Sequence, residues 1–329
     1  MVTDATDTIQ ILRQELRPEL DAMNAYIRER LKTDDPLMGS VVEQYLRTKG
    51  KQIRPLLVLL SANLFGGSST ATLHAAASLE MLHNASLIHD DVVDKSAYRR
   101  GRPTLNRDFD NRIAVLTGDF FVSNALAEVL ETGDLRACEA IADLGKELSL
   151  GEIDQISNAR ECSFDESRYI NVISKKTASL FMKCIKLGAD SVNAEEQMVK
   201  TAVEYGRLLG LSFQIKDDIF DYFEDKEIGK PTGNDLRENK VSLPLLYALR
   251  TAPEPEGEEM RNLIRRGELT DEEITSLMEF AKRYGGIDYA YSVMERMREE
   301  SREILDRLPD NEWRSAFADL FDFTIRRHN

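Results

Sequence analysis

The segment from Leu73 to Ile88 constrains the fold most, because it is apolar, rich in alanine and free of glycine and proline. Such a run predicts one long helix. The far end of this helix carries three acidic residues. Asp90 and Asp94 are four residues apart and share a helix face, with Asp91 one step round. We therefore expect three carboxylates to converge at the end of this helix.

Carboxylates that lie one turn apart repel one another, so this cluster predicts a bound cation. Oxygen ligands suit Mg²⁺, which takes one or two protein carboxylates and completes its coordination with water and substrate phosphate. A few residues further on, Arg99 and Arg100 supply guanidinium groups of the kind that bind phosphate oxygens. The segment therefore predicts a site for metal-bridged phosphate.

A second cluster with the same spacing contains Asp217, Asp218 and Asp221 and again follows a helical run. One match to such a short pattern is weak evidence, whereas two matches at helix ends are hard to attribute to chance. Gln214 precedes the second cluster by three residues and lies on nearly the same helix face. The loop that follows contains Lys230, and Lys240 precedes the next helix.

Other basic and polar residues are candidates for binding an anion. Lys51 and Arg54 stand at a helix start, where cations have the wrong sign for the helix dipole. His83 lies on the central helix, and Lys176 and Thr177 lie within a later one. Each also has a plain explanation as solvated charge or core packing. The terminal Arg326 and Arg327 are predicted to be simply solvated, as is usual at chain ends.

Composition favours one all-α domain spanning residues 1–329, built as a large helical bundle. The net charge of −15 argues against nucleic acid as a partner. The three cysteines are too widely spaced for a disulfide framework, which favours a reduced, cytoplasmic protein. No basic and apolar leader is evident, and we expect no transmembrane segment.

Local signals predict several element boundaries. One amphipathic helix is predicted from Ile9 to Leu31, ended by Asp34-Asp35-Pro36. Apolar helices are predicted over 111–130 and 135–159. Capping boxes are predicted at Ser163–Glu166 and at Thr270–Glu273.

The motifs in their order resemble those of trans-isoprenyl diphosphate synthases of the polyprenyl synthetase family, from about Gly50 to Pro244. They are Gly-Lys-x-x-Arg-Pro, His83, both Asp-Asp-x-x-Asp clusters, Arg-Arg-Gly, Lys-Thr, Gln214 and Gly-Lys-Pro-x-Gly-x-Asp. The resemblance implies an all-α bundle around a deep central cavity, usually in a homodimer. It also implies three Mg²⁺ ions that bridge the aspartates to an allylic diphosphate.

The resemblance further implies a role for each matched position. The expected metal ligands are Asp90, Asp94 and Asp217, with Asp91, Asp218 and Asp221 completing the two catalytic clusters. The allylic diphosphate is expected to contact Arg99, Lys176, Gln214, Lys230 and Lys240, with Thr177 beside them. Isopentenyl diphosphate is expected to contact Lys51, Arg54, His83 and Arg100. Two positions depart from the family pattern: Gln52 stands where Arg is frequent, and Asn239 where Gly is frequent.

The chemistry expected of these residues is prenyl transfer. Diphosphate leaves an allylic carbon once its charge is neutralised, and the alkene of isopentenyl diphosphate then attacks the allylic cation. No nucleophilic triad is needed, and none is evident. Competing interpretations are a terpene cyclase, which typically lacks the second acid cluster, and a non-catalytic partner subunit of a heteromeric synthase.

Product length can be argued from the central helix. One helical turn rises about 5.4 Å, roughly one isoprene unit, so successive turns before Asp90 are expected to line successive depths of a tunnel. Ala85 and Ser86 are small, and Ala75–Ala77 lie deeper. Because these side chains are small, the helix predicts a product of medium or long chain, such as a quinone side-chain precursor. The alternative is that Phe120 and Phe121 form the floor of the tunnel. The product would then have geranylgeranyl or farnesyl length.

Overall fold

The computed structural model describes residues 5–47, 50, 52–99, 101–223 and 232–327, with side chains from residue 9 onward. It confirms the all-α class. The helices are α1 (Ala5–Glu15), α2 (Arg17–Arg30), α3 (Pro36–Leu46), α4 (Ile53–Leu64), α5 (Thr70–Val93), α6 (Leu105–Asp108), α7 (Asn111–Leu130), α8 (Leu135–Glu161), α9 (Glu166–Ile173), α10 (Ser179–Asp190), α11 (Glu196–Phe220), α12 (Asn234–Arg237), α13 (Leu243–Thr251), α14 (Glu256–Arg266), α15 (Asp271–Arg283), α16 (Gly286–Leu305) and α17 (Glu312–Arg326).

Two features break the helical pattern. A π-helical turn at Ser174–Ala178 joins α9 to α10. Strands β1 (Tyr98–Arg99) and β2 (Arg102–Pro103) form a short antiparallel pair, with Arg99 opposite Arg102.

The chain divides into two compact units. Unit 1 comprises Met1–Lys146, Leu180–Gly206 and Leu305–Phe317. Unit 2 comprises Glu147–Ser179, Arg207–Ile304 and Ala318–Asn329. The single domain expected for residues 1–329 stays a prediction, and the units are described in turn.

Unit 1 is built around α5, which packs against α2, α4 and α7. A capping box starts this helix, because the Ser69 hydroxyl accepts from the Thr72 amide and the Thr72 hydroxyl accepts from the Ser69 amide. The small residues Ala75–Ala77 are buried and allow neighbouring helices to approach. On α7, a Cβ at Gly118 would lie 2.2 Å from His89 Nε2, so only glycine permits this contact beside Asp90.

Helix α7 is long and apolar enough to span a membrane, with a mean hydropathy of 1.5. Length and composition are weak evidence for a membrane span, because the core helix of a soluble protein can be equally long and apolar. One face of α7 is buried and packs against α5, with Phe121 fully enclosed. The expectation of no transmembrane segment therefore stays a prediction.

The predicted helix from Ile9 to Leu31 is wrong in one respect, since two helices, α1 and α2, meet at Leu16. Pro18 at the start of α2 has no amide hydrogen to continue the helical bonding, which explains the break. The predicted turn at Asp35 is confirmed, because the Asp35 carboxylate accepts from the Met38 amide at 2.8 Å and starts α3.

In unit 2, helices α13, α14 and α15 enclose a cluster of buried side chains that includes Leu245, Ile264 and Phe280. The capping box at Thr270–Glu273 is confirmed at the start of α15. The one predicted at Ser163–Glu166 is wrong, because α9 begins at Glu166 with Asp165 as its cap. The Asp165 carboxylate accepts from the Ser167 amide at 2.7 Å and takes the role predicted for Ser163.

Candidate active site

The first acid cluster lies at the carboxyl end of α5 in unit 1. Asp90 is in the last turn, and Asp94 caps the helix with its amide donating to the Asp90 carbonyl at 2.8 Å. Carboxylates at this end oppose the helix dipole, and the last turn of α5 contains no basic residue. The cluster therefore has the electrostatics of a cation-binding site.

Asp91, the middle residue of the first cluster, has a protein partner. Its side chain is buried, and Oδ1 accepts from Arg99 Nε at 2.7 Å. Burial raises the pKa of Asp91, and the charge of Arg99 opposes that rise. Among the described residues, no group of three His, Cys, Asp or Glu side chains is arranged to hold a metal ion. Asp91 thus orients Arg99 in this structure, leaving Asp90 and Asp94 as the two candidate ligands.

The β1–β2 hairpin fixes Arg99 and Arg102 after α5. The Thr104 hydroxyl donates to the Ser96 carbonyl at 2.7 Å, and the Asn106 side-chain amide donates to the same carbonyl at 3.0 Å. These bonds close the segment onto the end of α5. Arg100, predicted to bind isopentenyl diphosphate, lies outside the described residues.

A cavity of about 340 Å³ in unit 1 brings several predicted residues together. Arg54, at the start of α4, and His83, on α5, line it together with Asp91 and Arg99. Arg102 also lines it and was not among the predicted residues, although its neighbour Arg99 was. Lys51 lies outside the described residues. Four arginines and three acidic residues line the cavity, and the guanidinium groups among them are of the kind that bind phosphate oxygens.

Gln52, where the family often has arginine, has a structural partner. It adopts a left-handed conformation with φ of 48° immediately before α4. Its side-chain amide donates to Asn24 Oδ1 at 3.0 Å, and both residues line the same cavity. The substitution therefore replaces a charge with a neutral amide pair between α2 and α4.

The second acid cluster lies at the carboxyl end of α11 in unit 2, again with no basic residue in the last turn. Each of its three carboxylates has its own hydrogen-bond partners. Asp217 Oδ1 accepts from Arg327 Nη2 at 2.6 Å. Asp221 accepts from the backbone amides of Asn234 and Asp235, both at 3.0 Å, and so holds the start of α12.

Asp218 is the buried member and belongs to a chain of hydrogen bonds. Its Oδ2 accepts from the Tyr169 hydroxyl at 2.6 Å and its Oδ1 from the Gln214 side-chain amide at 2.8 Å. The Thr177 hydroxyl donates to Gln214 Oε1 at 2.6 Å. Burial raises the pKa of Asp218, opposed by the Tyr169 and Gln214 hydrogen bonds. Asp217 has 41% of its side chain exposed and is therefore a more accessible candidate ligand than the buried Asp218.

The π-helical turn places Lys176 and Thr177. Lys176 Nζ donates to Glu152 and, at 3.4 Å, to Gln155 Oε1, both on α8. A Cβ at Gly151 would lie 3.0 Å from the Lys176 amide nitrogen, so α8 approaches this wide turn at a glycine. π-Helical turns are frequent at functional sites.

A second cavity, of about 200 Å³, lies within unit 2. Lys176, Thr177, Gln214 and Lys240 line it, as does Asp218, so the predicted residues of this unit are brought together. Lys230 lies outside the described residues. Two further residues line this cavity: Tyr169, which no motif indicated, and Asp235, the last residue of the Gly-Lys-Pro-x-Gly-x-Asp motif.

Asn239, the second departure from the family pattern, has φ of 55°. Glycine is the usual residue in this left-handed region, and asparagine is among the few others that tolerate it. The departure therefore preserves the backbone path that leads to Lys240.

The prediction that Arg327 is solvated is wrong. Only 8% of its side chain is exposed, and its guanidinium lies 3.9 Å from the Phe213 ring centroid while binding Asp217. No sequence pattern indicated this contact, because the two residues are 110 positions apart.

Comparisons with known proteins agree with the motifs. A polyprenyl synthetase family model matches residues 35–281. Octaprenyl diphosphate synthase from Haemophilus influenzae is 35% identical over 318 residues, covering 94% of each chain. A Caulobacter crescentus polyprenyl synthase, solved with calcium and isoprenyl diphosphate, aligns with a TM-score of 0.91 and 30% identity over 97% of this chain and 98% of that one. A geranylgeranyl pyrophosphate synthase from Bacteroides thetaiotaomicron aligns with a TM-score of 0.84 and 39% identity over 98% and 100%.

The family model covers most of the chain, and these relatives align along nearly all of it. The chain therefore belongs to the polyprenyl synthetase family, as its motifs predicted.

Proposed function

We propose that this protein condenses isopentenyl diphosphate with an allylic diphosphate, head to tail, to make a trans-polyprenyl diphosphate of medium or long chain. One observation carries the proposal: two helices each end in aspartates with no basic residue in the last turn, and each unit has a cavity lined by both basic and acidic side chains, among them one aspartate of its cluster. Acids for a metal and cations for phosphate are the two requirements of diphosphate chemistry.

The donor set fits Mg²⁺. Asp90, Asp94 and Asp217 offer only oxygen, and each is at least partly exposed. Mg²⁺ needs only one or two carboxylates at each site, because water and substrate phosphate complete its coordination. When bound, Mg²⁺ would neutralise diphosphate charge and so ease its departure. We propose three Mg²⁺ ions per active site. The Caulobacter relative was solved with calcium, which also binds oxygen ligands.

The basic residues would bind and orient the two substrates. In unit 1, Arg54 and His83 would hold isopentenyl diphosphate. Arg99 stays a predicted contact of the allylic diphosphate in unit 1, and Lys176 stays one in unit 2. The allylic C–O bond breaks with its electron pair going to diphosphate, and the alkene electrons form the new C–C bond. A proton then leaves the condensed product and is taken up by the released diphosphate.

Release of diphosphate tests this reaction type directly. The purified protein, given isopentenyl and farnesyl diphosphates with Mg²⁺, should release inorganic diphosphate in a coupled colorimetric assay. Omitting isopentenyl diphosphate should greatly reduce the release, and EDTA should abolish it. Release that persists without isopentenyl diphosphate would instead favour a terpene cyclase, and no release would favour a non-catalytic subunit.

Arg54→Gln should raise the KM for isopentenyl diphosphate about 10- to 100-fold, because a hydrogen bond to a charged group is lost. The KM for the allylic substrate should stay within about 2-fold, since Arg54 is assigned to the other substrate. Steady-state kinetics with each substrate varied in turn measure both values. Arg17→Gln, at an arginine that is 78% exposed, is the matched control. An equal rise in both KM values would contradict the assignment of Arg54.

We also propose that the protein forms a homodimer through the outer face of α7. This face exposes Leu116, Leu126 and Leu130, at 57%, 44% and 66%. Apolar patches on one helix face mark association surfaces. A second copy would cover them by the symmetric packing that is commonest among homo-oligomers.

The double variant Leu116→Glu/Leu126→Glu should convert the dimer to a monomer, because two buried charges per subunit would be left without partners. Light scattering after size-exclusion chromatography measures the mass. Ile11→Glu, at another exposed apolar residue, should stay dimeric. A monomeric wild type at micromolar concentration would contradict the proposed interface.

The cytoplasmic location remains a prediction.

Two positions on α5 are proposed to set product length, and their surroundings differ. Ser86 is partly buried and lies on the helix face shared by His83 and Asp90. Ala85 is fully buried, in line with Ser78 and His89, which both hydrogen-bond to carbonyls of α7. Ser86 is therefore the better position for testing whether this face of α5 lines the product tunnel. The relatives differ in product, since one is named for octaprenyl and another for geranylgeranyl diphosphate.

A further inference from the structure

Arg327 lies directly after α17 and is bound to the second acid cluster. Its Nη2 donates to Asp217 Oδ1 at 2.6 Å and to the Phe213 carbonyl at 2.9 Å. Both partners belong to α11, and all three residues belong to unit 2. The contact thus joins the end of α17 to the last turns of α11.

The guanidinium is held by more than its ion pair. It stacks on the Phe213 ring, 3.9 Å from the centroid, and lies 5.3 Å from the Phe220 centroid. Its side chain is 8% exposed, and among the described residues its Nε is buried with no hydrogen-bond partner. A planar cation clamped by a ring and a carbonyl keeps its orientation whether or not a carboxylate is bound.

The contact leaves Asp217 available. Arg327 binds Oδ1, and 41% of the Asp217 side chain is exposed. One carboxylate oxygen is thus fixed by the protein, while the exposed part of the side chain is accessible to a ligand. This is the arrangement by which a hydrogen-bonding partner orients a metal-binding carboxylate.

We propose that Arg327 is a positioning residue, which holds the Asp217 carboxylate in the orientation that binds the metal. The proposal rests on the proposed function, in which Asp217 is a metal ligand. Without Arg327, the carboxylate would sample several rotamers, and metal binding would have to restrict them.

Charge and orientation predict opposite effects of removing this arginine. Electrostatically, loss of a cation beside Asp217 should strengthen the binding of a divalent metal. Loss of orientation should weaken it. The sign of the change in affinity therefore distinguishes a positioning residue from a competing cation.

The experiment is a Mn²⁺ titration of the full-length protein, with free Mn²⁺ measured by electron paramagnetic resonance. Arg327→Gln should weaken the Asp217-dependent site about 10-fold, within the range for such partners, and Arg327→Lys should recover part of the loss. Arg326→Gln, at the adjacent arginine that is 56% exposed, should leave Mn²⁺ binding unchanged. Circular dichroism and Tm identify any variant that fails to fold.

Asp217→Asn separates this inference from the proposed function. If Asp217→Asn removes one Mn²⁺ site and Arg327→Gln has no further effect in that background, the two residues act as one unit. Unchanged or tighter Mn²⁺ binding in Arg327→Gln, with Asp217→Asn still weakening it, would overturn the positioning role alone. Unchanged binding in Asp217→Asn would overturn the metal assignment of Asp217, and the positioning role with it.

Discussion

Replacing Asp90 with asparagine is expected to lower kcat by about 10³-fold, a loss typical of removing one group that stabilises transition-state charge. Asparagine keeps the size of the side chain but removes the charge that attracts Mg²⁺. Asp90 lies in the last turn of α5, and that turn contains no basic residue. Removing one carboxylate there should also relieve its repulsion with Asp94 and with the helix dipole, which favours the folded state.

Steady-state elongation rates and thermal unfolding measure these two effects separately. Asp34→Asn is the matched control, because Asp34 is an exposed member of an acidic pair at a turn and should have no effect on kcat. Higher Mg²⁺ should recover part of the lost rate if Asp90 binds metal. Wild-type kcat in Asp90→Asn would contradict the assignment of the first cluster.

Ser86→Phe is expected to shorten the main product to about four isoprene units or fewer. Ser86 is one turn before Asp90, and one turn corresponds to about one isoprene unit. A phenyl ring there would occupy the path that a growing chain follows along α5. The first condensation should be less affected, because the ring would lie beyond the reacting carbons.

Reversed-phase chromatography of dephosphorylated products from labelled isopentenyl diphosphate measures the length distribution. Ser276→Phe, at an exposed serine on α15, controls for the added ring. A Ser86→Phe product distribution equal to that of the wild type would show that this face of α5 does not line the tunnel.

Sequence patterns predicted much of the helical fold because they depend on neighbours in the chain. The apolar runs at 111–130 and 135–159 correspond to α7 and α8, whose boundaries agree within two residues. The helix predicted over Leu73–Ile88 extends to Thr70–Val93, since Ser69 caps one end and Asp94 the other. Pro18 divides the first predicted helix, because it has no amide hydrogen to continue the helical bonding.

The contacts of the site residues were harder to predict, because they join residues that are far apart in sequence. The motifs indicated that Asp91 and Arg99 belong to one site, yet only the fold shows that they bind each other. Tyr169 reaches Asp218 across 49 residues and has no sequence pattern of its own. Spacing therefore predicts which residues share a site, and packing decides which partner each one takes.

The most direct test of the central claim is to size the products made with Mg²⁺, labelled isopentenyl diphosphate and, separately, dimethylallyl, geranyl, farnesyl or geranylgeranyl diphosphate. We expect a ladder of intermediates that ends at one defined medium or long chain. A product that ends at farnesyl or geranylgeranyl length would contradict the proposed chain length. No elongation with any of the four primers would contradict prenyl transfer itself.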